Sequence, residues 1–201
     1  MTSTKYKLHI AESAMLIALS ITLCLALWGQ GTQSKLAGGL IRLHVIAHSD
    51  SEYEQALKLR VRDAVLSCAA PLLENAKDAG DAERTLLAHI DDIKLAAVSA
   101  AEGRSVEVSL TLEAYPTRFY GSFALPAGEY TSLRVMLGSA EGQNWWCVVF
   151  PPLCSGASTA AAEEVLGSDG ARLITRDGAG YMLKFRSAEL WNELKKGING
   201  N

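Results

Sequence analysis

The alternation of apolar and polar residues predicts the strands of this chain. It is most regular in residues 105–115, where every second side chain is apolar (Val106, Val108, Leu110 and Leu112). Successive side chains of a strand point to opposite faces, so this stretch predicts a strand with one face on a core and Glu107, Ser109, Thr111 and Glu113 outward. Other strands are predicted at Leu40–Ala47, Glu129–Leu137, Trp145–Phe150 and Tyr181–Phe185.

The predicted strand Leu40–Ala47 has two different faces. One face is wholly apolar, with Ile41, Leu43, Val45 and Ala47. The other face is mixed, because Arg42 and His44 alternate with Leu40 and Ile46. One face of this strand is therefore expected to lie on a core, and the other to carry polar groups.

A helix is predicted directly after this strand. Ser49 and Ser51 are each followed by a glutamate at the third position, which is the spacing of a capping box. The helix is expected to run from about Glu52 to Ala70, because a residue that precedes a proline, here Pro71, disfavours the helical conformation.

The remaining pattern completes the predicted fold. Helices are expected at Asp81–Ala101 and Ser187–Lys196, an aromatic loop at 115–121, and a hairpin connection at Gly138–Asn144. Runs of strands and runs of helices in this order predict an α+β fold, with a mixed α/β layout as the alternative.

The chain begins with a segment unlike the rest. Lys5 and Lys7 precede a charge-free stretch whose apolar centre is Ala14–Trp28. This centre suits a signal peptide and is shorter than the roughly 20 residues that span a bilayer comfortably. Residues 1–34 are therefore predicted to be a signal peptide or an uncleaved membrane anchor, and residues 35–201 a single exported domain.

Charge and motifs exclude several classes of function. The formal net charge is −3, so nucleic acid is not expected as a partner. His44 and His48 have the zincin spacing, but on a strand and its exit they lie too far apart to share a metal. We find no phosphate-binding glycine loop, and we predict no metal, no cofactor and no small-molecule substrate.

Cys147 and Cys154 lie on either side of Pro151-Pro152. If the chain reverses over the prolines the two thiols meet, and a bridge over so short a loop would stabilise the fold by roughly 2.5 kcal/mol. Two buried free thiols are the alternative. An enzymatic interpretation would make either cysteine a nucleophile, with His44 or His48 as base and Asp50 to orient it.

A binding surface is the other interpretation of the side chains in this chain. Trp145, Trp146, Tyr115, Phe119 and Tyr120, with Arg118 and Arg42, are of the types that anchor protein interfaces. Ordinary packing of these aromatic side chains in a core is the alternative.

Two long stretches resemble stage II sporulation protein R of endospore-forming bacteria. They are IRLHVIAHSDSEYEQALKLRVRDAVL and PTRFYGSFALPAGEYTSLRVMLGSAEGQNWWCVVFPPLC. The resemblance covers roughly Leu40–Leu66 and Tyr115–Cys154. It implies a signal without catalytic residues that is made in the forespore and exported into the intermembrane space. There such a protein activates a membrane-embedded aspartic protease, which removes the pro-sequence of sigma-E.

The expected partner is therefore that protease, with the N-terminal segment contacting the membrane. The predicted contact residues are Arg42, His44, Tyr115, Arg118, Trp145 and Trp146. The alternative function is an exported cysteine-dependent hydrolase that acts on cell-wall material.

Overall fold

The computed structural model describes residues 2–120 and 123–153. In chain order the elements are α1 (Thr2–Gly38), β1 (Ile41–Ile46), α2 (Glu52–Leu73), α3 (Ala79–Ala88), α4 (Ile90–Ala100), β2 (Val106–Tyr115), β3 (Arg118–Tyr120), β4 (Phe123–Leu125), β5 (Gly128–Leu137) and β6 (Asn144–Phe150). The predicted α+β class is confirmed. The predicted strand Tyr181–Phe185 and helix Ser187–Lys196 lie outside the described residues.

The chain divides into two units, Met1–Lys35 and Leu36–Asn201. The first unit is helical, because α1 runs through it. None of the helices in the described ranges is long and apolar enough to cross a membrane. The role of residues 1–34 as a signal peptide or anchor stays a prediction.

A four-stranded sheet with the order β2-β5-β1-β6 forms the centre of the second unit. β1 is parallel to β5 and antiparallel to β6. The predicted hairpin at Gly138–Asn144 is therefore wrong, because β1 lies between the two strands that this segment joins. The segment crosses the end of β1, where Gly142 N donates to Ala47 O at 2.9 Å. A Cβ at Gly142 would clash with the backbone of Ser49, so glycine permits the close crossing.

One side of this sheet, which we call the helical face, is covered by α2, α3 and α4. Ile41, Leu43 and Val45 of β1 are fully buried on it, as the alternation predicts. Leu133, Val135 and Leu137 of β5 continue the same layer. Apolar burial on this side supplies the main core of the unit.

The start of α2 is confirmed, and its predicted end is wrong. Ser51 caps the helix, and its Oγ accepts from Glu54 N at 3.3 Å. The helix continues past Pro71 to Leu73. Pro71 removes one N–H···O bond from the last turn, and the packing of Ala69 and Leu73 on either side of it into the core offsets this loss.

The helix predicted at Asp81–Ala101 is two helices, α3 and α4, which meet at His89. α3 packs against α2 and β1, whereas α4 packs against α2 and β2. The chain therefore turns at His89 so that each helix can cover a different strand.

Two further predictions were incomplete. The aromatic loop contains a strand, since β3 pairs with β4 in a separate two-stranded sheet. Alternation along the predicted strand Trp145–Phe150 puts Phe150 on the same face as Trp146, but Phe150 packs in the helical-face core beside Val149. A register shift between Ile41 and Arg42 breaks the alternation at this point.

Candidate functional site

The opposite side of the sheet, which we call the polar face, is built around Glu113. Its carboxylate accepts from His44 Nδ1 at 3.1 Å and from the Tyr115 hydroxyl at 3.0 Å. Arg134 Nε lies 3.6 Å from the other carboxylate oxygen. His44 Nε2 is 2.8 Å from Asn144 Oδ1, so this network joins β2, β5, β1 and β6.

This network sets the charge of Glu113. Burial alone would raise the pKa of its carboxyl, but hydrogen bonds and the charge of His44 outweigh burial and lower the pKa to about 2. The Glu113 side chain is only 16% exposed, so little solvent screens these contacts. Glu113 is therefore a fixed negative charge at every ordinary pH.

Arg42 is fully buried beside this network, in a cage of tyrosines. Its guanidinium carbon lies 3.8 Å from the ring centroid of Tyr115, 5.2 Å from that of Tyr130 and 5.8 Å from that of Tyr120. Arg42 Nη2 donates to the hydroxyl of Tyr120. The electron-rich ring faces compensate part of the cost of burying the cation.

The tyrosine hydroxyls of this cage are buried, and burial changes their pKa. Burial raises the pKa of the Tyr115 and Tyr130 hydroxyls far above the ordinary value. Tyr115 is hydrogen-bonded to Ser132 at 2.7 Å, and Tyr130 donates to Pro126 O at 2.7 Å. These hydroxyls are therefore neutral hydrogen-bonding groups and cannot serve as bases.

Arg118 covers Trp146 at the more open end of the polar face. Its guanidinium carbon lies 3.9 Å from the Trp146 ring centroid. Trp146 in turn contacts His44, with ring centroids 5.6 Å apart, and Tyr115, at 6.3 Å. Arg118 and Trp146 are both half-buried, so this end of the face is accessible.

The structure brings together five of the six predicted contact residues. Arg42, His44, Tyr115, Arg118 and Trp146 lie on the polar face. Trp145 points to the helical face, where Arg62 lies 4.7 Å above its ring centroid. Arg42 and Tyr115 are buried within this chain. Partner binding by these residues stays a prediction.

The structure does not place Cys147 near the histidines that would have to activate it as a nucleophile. Cys147 is buried on the helical face, whereas His44 points to the polar face. His48 Nδ1 accepts from Ser139 N at 3.0 Å, and Asp50 accepts from Gln143 N at 2.7 Å, beyond the end of β1. Cys154 lies outside the described residues, so the bridge to Cys147 stays a prediction.

His, Cys, Asp and Glu side chains among the described residues form no group of three or more that could hold an ion.

Sequence reasoning missed the partners that complete the polar face. Glu113 was expected to point to solvent, but it is the acceptor at the centre of the network. Tyr130, Ser132 and Arg134 alternate with apolar residues in β5, and this polar alternation was the signal that could have placed them. Tyr120 could not be placed, because its contact with Arg42 spans 78 residues.

Comparison with known proteins identifies the family. The sequence model of the family described as stage II sporulation protein R matches residues 37–160, which include β1 to β6. The chain belongs to this family. The family is named for a stage of sporulation and not for an enzymatic activity, which supports a role in sporulation.

A curated relative agrees with this assignment. Stage II sporulation protein R of Bacillus subtilis (strain 168) is 36% identical over 118 residues, which are 57% of this chain and 53% of the relative. The chain thus spans about half the length of that relative. No solved structure matches the chain.

Proposed function

We propose that this protein is an exported signal that activates a membrane-embedded aspartic protease across the intermembrane space of the sporulating cell. Activation leads that protease to remove the pro-sequence of sigma-E. The observation that carries the proposal is membership of the stage II sporulation protein R family over residues 37–160. Lys5 and Lys7 before the apolar run Ala14–Trp28 support export from the forespore.

The proposed signal acts by binding and not by catalysis. A ligand shifts a receptor toward its active state only by binding that state more tightly, and coupling of about 1–3 kcal/mol is typical. The polar face supports this role, since it offers half-buried aromatic and arginine side chains of the types that anchor interfaces. The cysteine-hydrolase alternative has less support, because Cys147 and His44 lie on opposite faces.

Reconstitution in a bacterium that does not sporulate tests the proposal. The full chain is expressed with the candidate protease and pro-sigma-E, and loss of the pro-sequence is followed by immunoblot. We expect processing only when all three proteins are present. Absence of processing, with a folded chain and a protease shown to be competent, would contradict the proposal.

Two variants separate export and catalysis within this experiment. Ile17→Arg with Leu19→Arg places charges in the apolar run, and we expect the chain to stay in the cytoplasm and processing to stop. Cys147→Ser with Cys154→Ser, in a form verified to be folded, should retain processing. Loss of processing in this folded variant would favour the hydrolase.

A further inference from the structure

Arg42 and Arg118 are held in the same unusual way. Each guanidinium carbon lies within 4 Å of a ring centroid, 3.8 Å for Arg42 over Tyr115 and 3.9 Å for Arg118 over Trp146. Stacking on an aromatic ring uses the flat face of a guanidinium and leaves its N–H groups directed outward in the plane. The aromatic rings therefore position the two side chains without occupying their N–H groups.

The unused donors can be named. Arg42 Nε and Nη1 and Arg118 Nε are buried and have no hydrogen-bond partner among the residues that the structure describes. No ion pair of either arginine occurs with a described carboxylate. Burying charged donors without an acceptor is costly, so these donors favour the binding of an acceptor.

The charges of Arg42 and Arg118 both act on the hydroxyl of Tyr120. Burial raises the pKa of the Tyr120 hydroxyl, and the charges of Arg42 and Arg118 both oppose that rise. The polar face carries the carboxylate of Glu113, which already accepts from His44 and Tyr115 and lies beside Arg134. Two positive charges therefore act on the same hydroxyl, and neither has a counter-ion of its own among residues 2–120 and 123–153, in a chain whose net charge is −3.

We infer that Arg118, with Arg42 beneath it, forms a receptor site for a carboxylate from an acidic side chain of a partner protein. Arg118 is half-buried and contacts the carboxylate, whereas Arg42 is fully buried and contributes its charge. A guanidinium group is planar, and its parallel N–H groups suit bidentate binding of a carboxylate. A protein is favoured over a free ion because the half-buried ring of Trp146, against which Arg118 lies, offers an apolar contact beside the carboxylate.

Direct binding is tested on the full chain in neutral detergent, with ¹⁵N-labelled arginine. The Nε–H resonance of residue 118 is assigned from its loss in Arg118→Lys and followed by NMR. We expect a saturable shift with acetylated, amidated tri-glutamate and none with tri-glutamine. A shift with inorganic phosphate as large as with tri-glutamate would show a general anion site, and no shift with tri-glutamate would show no site. Either result overturns the inference.

The role in signalling rests on the proposed function and is tested separately. In the reconstitution described above, Arg118→Gln should raise the amount of protein needed for half-maximal processing by roughly tenfold or more, and Arg118→Lys by less. Arg84→Gln is the matched control, because Arg84 is 73% exposed on α3. Processing by Arg118→Gln equal to wild type would overturn the inference and leave the proposed function intact. No processing by wild type would instead overturn the proposed function, and the NMR result would still decide on the site.

Discussion

The two faces of the four-stranded sheet use the same strands but different chemistry. On the helical face, Leu43 and Val135 are fully buried among apolar side chains of three helices. On the polar face, Arg42 and Ser132 are just as deeply buried, and specific hydrogen bonds and ring contacts take the place of apolar packing. The first arrangement tolerates many apolar sequences, whereas the second depends on particular partners.

The adjacent tryptophans of β6 test whether this difference extends to function. Trp146 lies on the polar face under Arg118, and Trp145 lies on the helical face under Arg62. We expect Trp146→Ala to abolish processing in the reconstitution while the chain still folds, and Trp145→Ala to retain processing once folding is verified. The measurement is processing together with thermal unfolding of each purified variant. The reverse result would move the contact surface to the helical side.

A truncation on the helical face measures its contribution to stability. Leu43→Ala removes a fully buried side chain and leaves a cavity, so we expect the free energy of unfolding to fall by about 3 kcal/mol. Leu95→Ala, at a position 67% exposed on α4, is the control and should change it by less than about 0.5 kcal/mol. Chemical denaturation checks both. A loss at Leu43 no larger than at Leu95 would mean that this face is not the main core.

Sequence patterns predicted the helical face well, apart from Leu112, which was expected on the core and is 64% exposed, and they predicted the polar face poorly. Alternation in Leu40–Ala47 correctly separated Ile41, Leu43 and Val45 from Arg42 and His44. It could not show that Arg42 is buried, because the period of a strand tells which residues share a face and not what covers that face. Tyr120 lies in the separate two-stranded sheet, 78 residues after Arg42 in the sequence. No local pattern encodes a contact between residues so far apart in the chain.

The prediction of how Gly138–Asn144 connects its two strands was wrong for a related reason. Gly138–Asn144 has the length and composition of a hairpin, yet it carries the chain across the end of β1. The position between β5 and β6 is filled by a strand from much earlier in the chain, which the residues of the loop do not specify. The local features were read correctly at Ser51, where the capping interaction lies within the segment itself.

The polar face also makes the stability of the protein depend on pH, through the carboxyl group of Glu113. The pKa of Glu113 is lowered to about 2 in the folded protein. A lowered pKa means that the folded state binds fewer protons than the unfolded state below about pH 5. The stability due to Glu113 is therefore complete above about pH 5 and is lost as pH falls toward 2, by about 3 kcal/mol in total.

Glu113→Gln should remove this part of the pH dependence and lower the free energy of unfolding at pH 7 by about 2–3 kcal/mol. The control is Glu107→Gln, an exposed residue of the same strand without an ion pair to any described residue. Denaturation at several pH values checks both variants. An unchanged slope between pH 5 and 3 in Glu113→Gln would show that the network contributes nothing to stability.

The smallest expected effects come from changing one hydroxyl on each face of β5. Ser132→Ala removes a buried hydroxyl that bonds Tyr115 at 2.7 Å, so we expect a loss of about 1 kcal/mol in the free energy of unfolding. Val135→Thr adds a hydroxyl among apolar neighbours that offer no partner for it, and we expect a loss of about 2 kcal/mol. If burial alone governed both faces, Ser132→Ala would be neutral or stabilising, because it removes a polar atom from a fully buried site. A lower free energy of unfolding in both variants would mean that the two faces have opposite requirements. A buried hydroxyl would stabilise the polar face at position 132 and destabilise the helical face at position 135.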